Sequence, residues 1–469
     1  MSAPLRHATF SLMSYSRYRF IKAATLERRT NLYLWNTKLS SLDLSCYLKS
    51  YRFYCQCHRY LLRSNKINKS KVAQLHGNNR NNLSTGACTP RYVIGIETSC
   101  DDTGAAVVDY HGNIIGEALN SQTRIHVEMG GIIPIIARDL HKQNITNVVD
   151  EAIKNAKLSY QDIEAIAVTT EPGLALSLFI GVNHAKMLAR KYRKPVIPIH
   201  HMEAHALTVR MVERVEFPYL VLLVSGGHCL LALAQDVNKF LLLGRSLDDS
   251  PGDAFDKTAR QMKLKNLKEC AGLSGGAAVE LMAKTGNPKS FQFPGVLSQN
   301  RDCNFSFSGL KFHAKSLILQ EELKQGIDGG NVLPNVGDIC ASFQDGIVKH
   351  LVHRIRRGLL YTELKQLLSE ENKTLVVSGG VASNMYIRQE IEKLCQHFNC
   401  RLVCPPPKLC TDNGIMIAWN GIEKLKREID LVQVNDFDEI DLKPRSPLGI
   451  DMTEDVIRAN IKVRGKLSV

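Results

Sequence analysis

Six consecutive residues, His200-His201-Met202-Glu203-Ala204-His205, offer the clearest chemistry in the chain. On a helix, His201 and His205 share one face a single turn apart. Two imidazoles so placed can hold a metal ion at about 2.0–2.1 Å per nitrogen. A hydrolytic site of this kind puts its general-base Glu directly after the first His. Here Met202 fills that place, and Glu203 follows one residue later, turned about 100° further round the helix. The spacing suits a metal but not that protease. For the pair alone, a surface or satisfied histidine cluster is the competing reading. Asp412, within Cys410-Thr411-Asp412-Asn413-Gly414, can complete an open two-His, one-carboxylate site. It equally stands where a helix N-cap would.

Glycine turns add a second chemistry. Tyr219–Val224 is an apolar run ended by Ser225-Gly226-Gly227-His228, and residues 374–377 are a second run, ended by Ser378-Gly379-Gly380 and continuing to Asn384. Glycine lets backbone approach a phosphate, and a following helix N-terminus favours the anion. Near the start of the body, Cys100-Asp101-Asp102-Thr103-Gly104 reads as a hairpin turn with amide donors and carboxylates suited to a phosphate–cation complex. Four Asp lie within residues 248–256, the last of them Asp256, and Gly276 and Glu280 follow; these suit ribose hydroxyls or a cation as well as a solvated turn. Phe305-Ser306-Phe307-Ser308-Gly309-Leu310-Lys311 is open between nucleotide stacking and core aromatics.

These residues need elements to hold them. Strands are expected at 92–97, 105–109, 163–169, 196–199, 219–224, 229–234 and 374–377, and helices at 137–154, 174–192, 257–262 and 415–426. Alternating strands and helices call for an α/β layer architecture. The repeated strand, glycine turn, strand layout points to two related lobes, each offering a hairpin to a shared cleft. The expected organisation is a leader over 1–90, a first lobe over 91–215, a second over 216–410, a helix returning to the cleft over 411–430 and a peripheral tail over 431–469.

Composition narrows the setting. A chain of 469 residues exceeds one ordinary core, and 44% hydrophobic with 23% charged residues fits a globular enzyme. The apolar run at 219–224 is too short to span a bilayer, so no membrane role is expected. The net charge of +14 is segregated: residues 1–90 hold 15 Lys and Arg against 2 acids, and the body is nearly neutral. Any nucleic-acid surface on the body is therefore a local patch. The basic, hydroxyl-rich leader has the profile of a mitochondrial presequence followed by a disordered spacer. The 13 cysteines form no paired framework, which suits a reducing compartment.

Taken in order, Gly95-Ile96-Glu97-Thr98-Ser99-Cys100-Asp101-Asp102-Thr103, the His201 and His205 pair, residues 223–227, Phe255-Asp256-Lys257, residues 378–384 and Thr411-Asp412-Asn413-Gly414 resemble the tRNA N6-adenosine threonylcarbamoyltransferase family, formerly labelled O-sialoglycoprotein endopeptidase. The leader points to its mitochondrial branch, and the resemblance covers residues 91–425. It implies a two-lobed actin/Hsp70-like ATPase fold with a duplicated mixed-sheet core and a central cleft. It also implies metal ligands at His201, His205 and Asp412, holding one divalent ion, Fe2+ or Zn2+. Positions that bind the threonylcarbamoyl-AMP intermediate carry over to Leu223, Val224, Ser225, Gly226, Gly227, Asp256, Gly276, Glu280 and Asn384. Ala204 departs from the Gly usual in the family, at no cost within a helix. The expected reaction moves a threonylcarbamoyl group to the N6 amine of adenosine 37, in mitochondrial tRNAs reading codons that begin with A. Asp101 is the candidate general base. The expected setting is the matrix, with tRNA and a separate threonylcarbamoyl-AMP synthase as partners and room for a homodimer. The rivals are a metalloprotease and a non-catalytic nucleotide-binding protein of the same fold.

Overall fold

The structure, a computed structural model, describes residues 91–463 except 130 and 328. The leader expectation falls on residues 1–90 and lies outside the described residues. In chain order the first sheet and its helices are β1 (Tyr92–Glu97), β2 (Asp102–Asp109), β3 (Ile114–Ser121), α1 (Thr123–Glu128), α2 (Pro134–Ala156), β4 (Ile163–Glu171), α3 (Ala175–Tyr192) and β5 (Val196–His200). Two short helices follow, α4 (His201–Leu207) and α5 (Val209–Val212). The second sheet begins with β6 (Tyr219–Val224), β7 (Cys229–Asp236) and β8 (Lys239–Arg245). Helices α6 (Pro251–Gln261), α7 (Gly275–Ala283), α8 (Ser308–Gln325) and α9 (Val336–Leu364) are inserted before β9 (Thr374–Ser378), α10 (Met385–His397) and β10 (Arg401–Val403). The chain continues through α11 (Gly414–Leu425), β11 (Ile450–Asp451) and α12 (Thr453–Arg458).

The sheet orders are β3-β2-β1-β4-β5 and β10-β9-β6-β7-β8-β11. In each, an antiparallel meander of three strands is extended by two parallel strands: β1 pairs with β2 antiparallel and with β4 parallel, and β6 repeats this with β7 and β9. Read from β8, inside the added edge strand β11, the second sheet repeats the first, which is the duplicated topology of an actin/Hsp70-like fold. Strand β6 is apolar throughout and β1 is apolar up to its last residue, Glu97, and both are buried on both faces beyond the half-buried Tyr92, as strands covered on each side must be. Helices α2 and α3 cover the outer face of the first sheet, and α6 to α10 pack on the second. A middle layer between the sheets holds α4 and α11.

That middle layer positions the chemistry. A Cβ at Gly95 would lie 2.2 Å from Ala418 N, and one at Gly414 would lie 2.4 Å from the Ala105 carbonyl carbon. Glycine at both places lets α11 rest its backbone directly on β1 and β2. Trp419 Nε1 donates to the Leu207 carbonyl (3.1 Å) and ties α11 to the end of α4.

Three differences from expectation stand out. Strand β2 starts at Asp102 and not at 105, because the turn is tighter and Asp102 already pairs with Ser121 of β3. Phe305 and Phe307 are buried and pack with His350, so that stretch is core. The segment expected to be a peripheral tail buries Phe437, Leu448 and Val456, because isolated apolar residues in a charged stretch find pockets in both lobes. No helix of the described residues is long and apolar enough to cross a membrane, and their cysteines are all free.

Candidate active site

Strand β5 ends at His200, whose ring accepts the Met202 N–H (3.2 Å) and so caps α4. The helix then presents His201 and His205 on one face, with ring centroids 4.7 Å apart and planes at 87°. From the turn that precedes the other inner helix, Asp412 Oδ1 reaches His205 Nε2 at 3.0 Å and His201 Nε2 at 3.6 Å. The three potential donor atoms lie within 4.8 Å of one another, and this is the one such group among the described residues. The cap of α11 is Asn413, which accepts the Met416 N–H (2.9 Å). The capping role considered for Asp412 therefore belongs to its neighbour, and the Asp412 carboxylate is left to the histidines. Ala204 is fully buried in the middle layer.

Sequence reasoning missed the shell that orients His201. Glu97, 0% exposed, accepts from Ser99 N, from Thr169 Oγ1 (2.7 Å) and from His201 Nδ1 (3.1 Å). Ser99 Oγ also lies 3.2 Å from that nitrogen. A carboxylate on Nδ1–H fixes the tautomer and leaves Nε2 free to coordinate. Burial would lower the His201 pKa, but Asp412 and Glu97 outweigh it and raise it to about 9. Burial would likewise raise Asp412, yet the two imidazoles hold it well below the usual carboxylate range. Two imidazole nitrogens and a carboxylate oxygen converging, with a second carboxylate behind one ring, fit a divalent transition metal.

Glu203 takes no part. Its carboxylate turns to Lys424 Nζ (3.7 Å), and burial, opposed by Lys424 and helped by Asp430 and Glu171, raises its pKa to about 7. In the hairpin turn, the half-buried Asp101 accepts from Thr123 Oγ1 (3.4 Å). Asp102 beside it has a buried Oδ1 without a hydrogen-bond partner. Burial, against a hydrogen bond from Ser121, raises Asp102 to about 6, with Asp101 and Asp412 adding to the effect.

The second lobe supplies a cavity of about 210 Å³ lined by Gly226, Asp256, Gly276, Glu280 and Asn384 among others. Three helix N-termini meet there, since Gly252 of α6, Gly276 of α7 and Asn384 before α10 all line it. Such ends favour anions. Two are already answered by carboxylates: Asp256 accepts from the Gly275 and Gly276 amides, and Glu280 Oε1 from Met385 N (2.7 Å). Asn384 caps α10 through Ile387 N (3.0 Å) and donates to Gln344 Oε1 (2.8 Å). The third is closed on the glycine turn, where Gly252 N donates to the Ser225 carbonyl (3.3 Å) and Asp253 N to Ser250 Oγ (3.2 Å). Leu223 and Val224 are buried in β6 and shape the turn without lining the cavity. Ser225 Oγ accepts from the Gly227 and His228 amides (3.3 and 3.0 Å).

One turn joins the two halves. Gly226 lines the cavity, while two residues on, the exposed His228 lies within electrostatic reach of His201, His205 and Asp412. A metal-type cluster in the middle layer thus lies near a second-lobe cavity where three helix N-termini meet, within an actin/Hsp70-like fold.

The comparisons define the family. A family model described as TsaD, tRNA N6-adenosine threonylcarbamoyltransferase, matches residues 113–419. The mitochondrial tRNA N6-adenosine threonylcarbamoyltransferase of Mus musculus is 50% identical over 373 residues, covering 80% of this chain and 90% of that protein. The Homo sapiens protein of the same name gives the same figures, and a probable one from Drosophila melanogaster is 43% identical over 378 residues, covering 80% and 92%. Among solved structures, T. kodakarensis HypF has a TM-score of 0.42 at 15% identity, covering 72% of this chain and 48% of that one. Component A of the Acidaminococcus fermentans (R)-2-hydroxyglutaryl-CoA dehydratase scores 0.40 at 13%, covering 72% and 99%. The chain belongs to the tRNA N6-adenosine threonylcarbamoyltransferase family, and it is a transferase.

Proposed function

We propose that the protein transfers a threonylcarbamoyl group from threonylcarbamoyl-AMP to N6 of adenosine 37 in mitochondrial tRNAs reading codons that begin with A, acting in the matrix. The observation that carries this reading is the turn over residues 225–228, which ends the strand packed on the histidine helix and lines, through Gly226, the cavity where three helix N-termini meet.

The adenylate phosphate lies against the glycine turn at Gly226 and Gly227, where no side chain blocks its approach to the backbone. Asp256 and Glu280 repel a phosphate but accept from ribose hydroxyls with lone pairs their amide bonds leave free. Asn384 shapes the wall, because both ends of its amide are engaged. His201, His205 and Asp412 would hold a divalent metal, Fe2+ or Zn2+, that polarises the carbamoyl oxygen when bound. The N6 amine attacks the carbamoyl carbon, a C–N bond forms, and the C–O bond to phosphate breaks. AMP leaves with that electron pair, and the amine proton passes to a carboxylate of the hairpin turn. Asp101 is the proposed acceptor and Asp102 the alternative, the latter suited by a carboxyl near 6. The amine is a poor nucleophile, so positioning supplies much of the rate. A separate threonylcarbamoyl-AMP synthase delivers the adenylate, and the protein works as a monomer or homodimer.

Nucleoside analysis of organellar tRNA tests this. Loss of the protein should abolish threonylcarbamoyladenosine, the wild-type chain should restore it, and His201→Ala should not. Unchanged modified nucleoside after loss would refute the proposal.

A further inference from the structure

The residues after α11 run from one lobe to the other and are fastened at both ends. In the first lobe, Val432 and Val196 exchange backbone hydrogen bonds of 2.9 and 3.0 Å. Phe437 and Ile440 are buried in the outer core, and Lys186 Nζ donates to the Ile440 carbonyl (3.1 Å). In the second lobe, Ile450 and Asp451 pair with Leu241 and Leu242 of β8. Met452 N donates to the Leu242 carbonyl (2.8 Å), Val456 is fully buried, and Arg357 Nε donates to the Ile461 carbonyl (3.3 Å). Gly449 turns the chain at φ +69, where a Cβ would lie 2.1 Å from the Phe240 carbonyl oxygen. No other residue fits there without moving β8.

Between these anchors the segment reaches the shell of the candidate active site. Lys443 N donates to the Thr170 carbonyl (3.1 Å), and Gly173 N donates to the Pro444 carbonyl (3.2 Å). The loop held in this way leans on Ser99, because Leu174 N donates to the Ser99 carbonyl (2.7 Å). Ser99 Oγ in turn lies 3.2 Å from His201 Nδ1. On the same strand, Thr169 donates to Glu97 (2.7 Å), the carboxylate that accepts from His201. A few hydrogen bonds therefore separate the C-terminal segment from the imidazole.

We propose that residues 432–461 form an interlobe strap that positions His201, holding loop 170–174 against Ser99 while its far end is fixed on β8 and α9. Lobes of one chain move relative to each other unless something restrains them. The span between the anchors, residues 445–449, carries Leu448 buried in the middle layer and reaches at most about 17 Å at full extension, so the strap limits how far the cavity can recede from the histidines. Its catalytic consequence rests on the proposed function, whereas the mechanical coupling does not.

The test uses the full chain with Gly449→Ala, read by hydrogen exchange and by steady-state transfer to tRNA. Release of the far anchor shows as faster exchange at Ile450 and Met452. The proposal expects faster exchange at Gly173 and Leu174 as well, with kcat lower by about 10- to 100-fold, the range for lost outer-shell support, at unchanged KM for tRNA. Faster exchange confined to 450–452 with unchanged kcat would overturn it. If Gly449→Ala does not fold, a Gly-Ser-Gly-Ser insertion after Arg445 decides, since residues 443–445 are exposed and such sites tolerate insertion. There the strap requires a wider distribution of lobe separations in solution scattering and a lower kcat, with both anchors still protected; no change in either refutes it. A wild-type protein without transferase activity would count against the proposed function alone, and the exchange and scattering arms would still judge the strap.

Discussion

Replacing Glu97 with Gln keeps its volume but sets its hydrogen bonds against one another. The wild-type carboxylate is fully buried and faces three donors, Ser99 N, Thr169 Oγ1 and His201 Nδ1. A Gln side chain offers one acceptor oxygen and one NH2 group. With the oxygen on Ser99, the NH2 faces His201, and the imidazole must carry its proton on Nε2, the nitrogen that points at Asp412. With the oxygen on His201, the Ser99 N–H is opposed by another donor, at about 1–3 kcal/mol. Either arrangement should lower metal affinity by about 10- to 100-fold, or about 1.4–2.7 kcal/mol. The pH profile gives a second reading. His201, raised from 6.5 to about 9, binds a proton that a cation must displace, so affinity should rise with pH and level off near 9. Protonated His201 stabilises the metal-free fold fully below pH 6.5, and this contribution is lost as pH rises through about 9. Without the Glu97 charge, the levelling should move to lower pH. Zn2+ and Fe2+ competition titrations against a chelator across pH measure both effects. Affinity within threefold of wild type, with an unmoved profile, would refute the reasoning.

Asp412→Asn should lose most bound metal while helical content and thermal unfolding of the metal-free protein barely change, because Asn413 caps α11; elemental analysis and circular dichroism check this. Glu203→Gln should leave transfer to tRNA within threefold of wild type, since that carboxylate faces Lys424, whereas a catalytic base would cost about 10²- to 10⁴-fold. Removing residues 1–85 should leave a folded chain that no longer enters mitochondria, and unchanged import would contradict the presequence reading.

The sequence announces some of this site and hides the rest for physical reasons. Strands β1 and β6 are legible because an apolar run stops at a turn, and both were expected with the bounds found. The histidine pair is legible because its helical spacing is local. Glu97 is hidden because it ends an apolar strand and meets His201 across 104 residues of sequence. Asp256, Glu280 and Asn384 read as ligand contacts, yet each also holds a helix end, a role that only tertiary neighbours reveal. The C-terminal segment reads as peripheral because its composition is charged, and Phe437 and Val456 are single anchors that an average conceals.

The most direct test supplies the purified protein with metal, unmodified tRNA, ATP, threonine, bicarbonate and an adenylate-forming partner, and analyses the tRNA nucleosides by mass spectrometry. The account predicts N6-threonylcarbamoyladenosine at position 37, in amounts that scale with enzyme and collapse with His201→Ala or Asp412→Asn. Glu203-dependent peptide cleavage, with no modified adenosine in the complete reaction, would contradict it.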